Sequence, residues 1–186
     1  MSKKYELTDD IIIIEYSIYS HTLHRIRALK DIPELGVNVG DLGGYIEKED
    51  NLSHDGDCWV SDNACVFGDA KVYGDAFICD NVEVYGYAQV YDNAIICDDV
   101  SIWGGSKVYG DAFISMNAQV CGFARVHERA WISGNSEIGG YADIYGNSRI
   151  YGNAKVVGFN NVYGNAQIYG NAFISSHDYV DTDYFE

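Results

Sequence analysis

Proline is almost missing from this chain, with one in 186 residues, and basic residues are few, 12 against 28 acidic ones. The shortage of proline leaves the turns to glycine, of which there are 20. The charge balance, −16 with a sequence pI near 4.4, opposes binding to a phosphate backbone or an anionic membrane surface. Long apolar runs are absent too. Ile11-Ile12-Ile13-Ile14 is the longest aliphatic stretch, flanked by acids and far short of the roughly 20 residues that a spanning helix needs. With no signal peptide in view, the expected location is cytoplasmic. The five cysteines have no paired spacing and no zinc-type pattern, which fits a reducing compartment, free thiols and no bound metal.

Leucine is missing from one place in particular. Every sixth residue from Val60 to Ile174 is Val or Ile, and two residues before each comes a small residue, usually Ala. Gly68-Asp69-Ala70-Lys71-Val72-Tyr73 still echoes in Gly164-Asn165-Ala166-Gln167-Ile168-Tyr169. A period this short marks a solenoid. Strict β-branching selects strand, where a stiff χ1 costs little. The small and aliphatic positions are two apart, so both point inward. Gly followed by Asn or Asp supplies a corner in the left-handed backbone region. Three sides close a triangular coil, and coils stack about 4.8 Å apart in parallel. The expected fold is all-β, a single-stranded parallel β-helix over residues 58–175.

Residues 1–57 are the expected cap, since a first coil otherwise bares strand edges and apolar side chains. Residues 1–10 read as loose, and Ile11–Ser20 with Thr22–Leu29 as a β-hairpin. Residues 176–186 break the repeat as an acidic tail that either folds over the last coil or frays.

Leu23-His24-Arg25-Ile26-Arg27-Ala28-Leu29, Gly40-Asp41-Leu42-Gly43-Gly44-Tyr45-Ile46 and Asn51-Leu52-Ser53 precede the hexads. Together they resemble the leader of bacterial and phage hexapeptide-repeat proteins that are usually labelled transferases. The resemblance covers nearly the whole chain and implies a left-handed β-helix. It carries over no catalytic residue.

Sorted by coil, the outward residues form stripes. On the first face run Trp59, Phe77, Ile95, Phe113 and Trp131, an apolar band expected to be covered by another subunit of a dimer or trimer, or by the N-terminal segment. Beside it run Ser61, Cys79, Cys97, Ser115 and Ser133; Cys79 and Cys97 read as stacked free thiols. The second face and its corner carry an aromatic edge of Phe67, Tyr85, Trp103, Phe123, Tyr141 and Phe159, either a stacking ladder or a binding surface. The third face carries Tyr73, Tyr91, Tyr109, His127, Tyr145 and Tyr163. Asp62, Asp80, Asp98 and Asp99 cluster at a corner, where solvated repulsion is a more ordinary reading than weak cation binding.

Two functions compete. A rigid solenoid with matched stripes suits a non-catalytic binding or scaffold protein, of the kind a phage uses to block or sequester a host protein or small molecule. The alternative is an acyltransferase using acyl-CoA, with His127 as general base. Hexapeptide acyltransferases commonly shape their acceptor site with an extruded loop or added helix. The unbroken hexads leave no room for such a loop, so the binding reading leads.

Overall fold

The computed structural model describes residues 3–16 and 19–185. From Trp59 onward the chain winds through two-residue strands, one on each side of a triangular coil, separated by two-residue turns. Strands 18 residues apart pair in parallel: Trp59 beside Phe77, Glu83 beside Ser101, Lys107 beside Arg125. The chain is thus a left-handed parallel β-helix of three sheets with an N-terminal β-hairpin cap.

The core is a column. Apart from Ile174, which is slightly exposed, the hexad Val and Ile residues are essentially inaccessible, as are the alanines two residues before them. Four polar residues replace the inward small residue. Ser106 and Ser136 donate to the carbonyls of Trp103 and Ser133, at 2.9 and 2.8 Å. Asn160 donates to Val157 O at 2.6 Å and accepts from Asp178 N–H at 3.1 Å, which ties the C-terminal segment to the last coils. Ser148 Oγ is buried with no partner among the described residues.

The corners explain part of the acidic composition. The first turn residue takes positive φ, and most such residues are glycine. The others are Asp62, Asp80, Asp92, Asp98, Glu128 and Met116. Each acid accepts a bond from the N–H at the equivalent position one coil on. Asp62 takes that of Asp80 (3.4 Å), Asp80 that of Asp98 (3.0 Å) and Asp98 that of Met116 (2.8 Å). Asp92 takes that of Gly110 and Glu128 that of Gly146. These carboxylates satisfy amides that a glycine corner leaves to water, so the stacked aspartates expected to be merely solvated act as corner acceptors. Met116, at φ 62°, offers no acceptor and carries the strain alone.

The cap is a coil in its own right. Strands β1 (Tyr5–Tyr16) and β2 (Tyr19–Ala28) form an antiparallel hairpin, and β3 (Leu42–Ile46) pairs with β2 on one side and in parallel with Cys65–Val66 on the other. Leu52 then bridges Val72, so Ile46 and Leu52 continue the aliphatic column. Residues 5–10, expected to be loose, are strand because Lys4 and Tyr5 close the top of the helix. Lys4 Nζ donates to the carbonyls of Gly56 (3.1 Å) and Cys58 (2.7 Å), and Tyr5 OH donates to Leu52 O (2.7 Å). At the other end Tyr179–Val180 and Tyr184–Phe185 add parallel strands to Asn161–Val162 and Ile168–Tyr169.

Trp59 is the joint between cap and solenoid, 1% exposed. Trp59→Ala should therefore cost about 3–5 kcal/mol, whereas Tyr87→Ala, at a corner, should stay within about 0.5 kcal/mol. Met116→Gly should raise stability by up to about 1 kcal/mol, the relief of left-handed strain less the entropy of glycine. Chemical denaturation checks all three.

Candidate functional site

On the third face the outward residue after each inward aliphatic stacks on its equivalent in the next coil. Ring centroids lie 4.7 Å apart for Tyr73–Tyr91, 4.8 Å for Tyr91–Tyr109 and 4.6 Å for Tyr109–His127. The ladder continues through His127–Tyr145 at 5.3 Å and Tyr145–Tyr163 at 5.5 Å. His127 is thus sandwiched face to face and presents only its ring edge.

That edge is engaged. His127 Nε2 lies 3.0 Å from Asp143 Oδ1, and Arg125 lies 3.3 Å from Asp143 Oδ2. An ionised carboxylate can only accept, so the neutral imidazole carries its proton on Nε2 and a lone pair on Nδ1. Among the described residues Nδ1 has no hydrogen-bond partner. A lone pair lies in the ring plane, so stacking does not obstruct it. Asp143 is the partner that sequence reading missed: it sits 16 residues after His127, on the neighbouring outward stripe of the next coil. Reading the two third-face stripes diagonally rather than separately would have found it.

The adjoining corner forms a shallow cleft of roughly 400 Å³ lined by Gly110, Asp111, Glu128, Arg129, Gly146 and Asn147. Charge of both signs meets here, with Asp111 and Glu128 beside Arg129 in the lining itself. Of the six basic residues between 58 and 175, Lys71, Lys107, Arg125 and Arg129 lie on the third face or this corner.

The first-face stripe is divided. Trp59 lies beneath the cap, where Gly43 of β3 leaves it room, Phe77 and Phe113 are half-buried, and Ile95 (43%) and Trp131 (41%) are exposed. Below them the row of small residues ends at Tyr151. The resulting trough, roughly 410 Å³, is bounded by Met116, Trp131, Ser133, Arg149, Tyr151 and Gln167. Arg149 lies 5.1 Å from the Trp131 ring centre.

The aromatic edge is divided as well. Phe67 is buried by the hairpin beside Leu23 and Tyr45, with Tyr85 and Trp103 stacked below it at 5.1 and 5.9 Å. The ladder then steps to the corner, where the Phe123 ring occupies the space a side chain at Gly105 would fill. Phe123, Tyr141, Phe159 and His177 stack at 5.2, 4.7 and 4.7 Å, and the first three are more than half exposed.

Where the first and second faces meet, Cys79, Asp80 and Cys97 bring their ligand atoms within 4.8 Å of one another. All five cysteines are free. Burial, with nearby acids, pushes the Cys79 and Cys97 thiols up.

No family model matches the chain, and no curated protein matches it.

The tyrosine ladder has a consequence for alkaline stability. Burial, then the neighbouring Tyr73 and Tyr109, push the Tyr91 hydroxyl up to about 12, and burial raises Tyr73, Tyr109 and Tyr145. The fold favours the neutral phenols, so their contribution is complete below the unfolded value of about 10 and lost as pH rises through about 12. Denaturant midpoints measured across that window should fall steadily; a flat profile would contradict the ladder's role.

Proposed function

We propose that the third face transfers acyl groups, with His127 as general base, Asp143 as its positioning partner and an acyl thioester such as acyl-CoA as donor. The observation that carries this reading is the His127–Asp143 contact, which leaves Nδ1 without a partner among the described residues, next in sequence to Glu128 and Arg129 of the cleft. A carboxylate behind an imidazole fixes its tautomer and stabilises the cation formed when it takes a proton. Nδ1 removes the proton from an acceptor amine or hydroxyl, the freed nucleophile attacks the thioester carbonyl carbon, and the carbon–sulfur bond breaks. The imidazolium returns its proton to the departing thiolate. Arg129 and Lys107 supply cations for an anionic donor on a chain of net charge −16, while Arg125 is held by Asp143. The cleft is shallow, and we propose a homo-oligomer in which a neighbouring copy, seated on Ile95 and Trp131 across the corner from His127, completes its wall. The fold is shared by hexapeptide-repeat scaffolds and acyltransferases alike, so the side chains decide.

A second reading has its own observation. Phe123, Tyr141 and Phe159 form a flat, exposed, stacked strip on a rigid rod, suited to holding a host protein or a planar small molecule without chemistry.

Thiol release from acyl-CoA in the presence of amine and hydroxyl acceptors tests the first. His127→Gln should lower the rate about 10²–10⁴-fold, and Asp143→Asn should lower kcat with little change in KM. His127→Tyr should be equally inactive yet fold at least as well, because it restores an unbroken tyrosine ladder. Undiminished activity in His127→Tyr would remove His127 as the base, and no turnover by the wild-type chain with any acceptor class would leave the aromatic strip as the working surface.

A further inference from the structure

The first-face row of small residues changes from serine to cysteine at only two coils, Cys79 and Cys97, between Ser61 and Ser115. These coils hold the run of corner acids. Asp62, Asp80 and Asp98 follow one another at positive φ, joined by Asp99. Among the described residues, none of these four carboxylates pairs with a basic side chain. Two thiols and an excess of uncompensated negative charge therefore share one stretch of surface.

We propose that Cys79, Asp80 and Cys97 form a binding site for a thiophilic divalent cation of the zinc class, with two thiolates and one carboxylate as ligands and one coordination position open. The geometry is close to what such an ion needs. Zinc sits about 2.3 Å from thiolate sulfur and about 2.0–2.2 Å from carboxylate oxygen, which sets a tetrahedral sulfur–oxygen edge of about 3.5 Å. Cys79 Sγ and Asp80 Oδ2 lie 3.4 Å apart, and all three ligand atoms fall within 4.8 Å of one another. Parallel register holds the two cysteines one coil apart, so the ion would be gripped by backbone already fixed in the ladder.

The supporting shell is also present. Asp80 Oδ2 accepts the Asp98 amide at 3.0 Å, so the ligating carboxylate is oriented by the backbone of the next coil, and the Asp80 amide is itself held by Asp62 Oδ2 at 3.4 Å. Cys79 donates its thiol proton toward Asp80, and an incoming cation takes the place of that proton. Two thiol protons leave on binding, one from each cysteine, so affinity should rise with pH. Soft sulfur ligands select zinc or cadmium over magnesium or calcium. A sequence scan for zinc spacing does not find this set, because its cysteines are 18 residues apart and become neighbours only through the coil.

The test uses the full chain, reduced and stripped of metal with chelator. Titration with Cd²⁺, followed by thiolate-to-metal charge-transfer absorption, should saturate at one ion per chain, and Zn²⁺ should displace it. Cys79→Ser and Cys97→Ser should each abolish the band. Both should fold normally, because serine already occupies this position at Ser61, Ser115 and Ser133. Asp80→Asn should weaken binding by about tenfold or more, while Cys121→Ser should change nothing. Absence of the band, or a band that survives Cys79→Ser, would overturn the proposal.

Discussion

The structure depends on one constraint, the parallel backbone ladder that joins each coil to the next at a fixed register. Lys71 N–H donates to Ala88 O, Gln89 N–H to Ser106 O and Lys107 N–H to Ala124 O, and the same step recurs on the other faces. A fixed step places every side chain on its equivalent one coil away, so a choice at one position is felt by two neighbours. Inside, this forces β-branched residues and alanine into a uniform column. At the corners it produces the asparagine ladders, such as Asn117 to Asn135 to Asn153, and the acids that accept the next coil's amide. The acidic composition is in part a structural requirement of left-handed corners that are not glycine.

The same ladder gives the outer surface its chemistry. Where like stacks on like, a tyrosine column is inert packing. Where one member changes, it is held rigidly among neighbours that do not. His127 is such a change, and the stacking that immobilises its ring leaves only its in-plane edge open to contacts. Asp143, one coil on and one stripe over, takes one nitrogen and leaves the other. A site on a rigid strand surface is better preorganised than one on a loop. Under the proposed catalytic role, the scaffold's own stiffness would do what an extruded loop does in hexapeptide acyltransferases.

Much of the fold could be read directly from the residues, because a six-residue period and its inward pairs need no long-range information. The hairpin could be read from the Ile- and Tyr-rich Ile11–Ser20 segment, although the spacing of Leu23, Ile26 and Leu29 also suited a short helix. What escaped depends on elements meeting across the sequence. Trp59 and Phe67 read as surface by their place in the repeat, yet the cap covers both, because Gly43 and Leu23 come from a segment outside the repeat. Lys4 and Tyr5 looked like a polar, loose terminus, although their polar atoms close the end of the helix. The His127–Asp143 contact runs diagonally between two stripes, and sorting by coil alone keeps those stripes apart. Met116 at a left-handed corner could have been placed by register, since Asp98 and Gly134 hold the same position in the adjacent coils, but its residue type gives no hint of that conformation.

The catalytic reading places the working surface on the third face, while the binding reading places it on the exposed rings of the adjoining corner. Mapping chemical-shift changes by NMR while acetyl-CoA is added distinguishes the two in a single titration. The account predicts changes centred on His127, Asp143, Arg125 and Arg129, spreading along the tyrosine ladder to Tyr109 and Tyr145. Changes confined to Phe123, Tyr141 and Phe159, or no changes at saturating thioester, would contradict it.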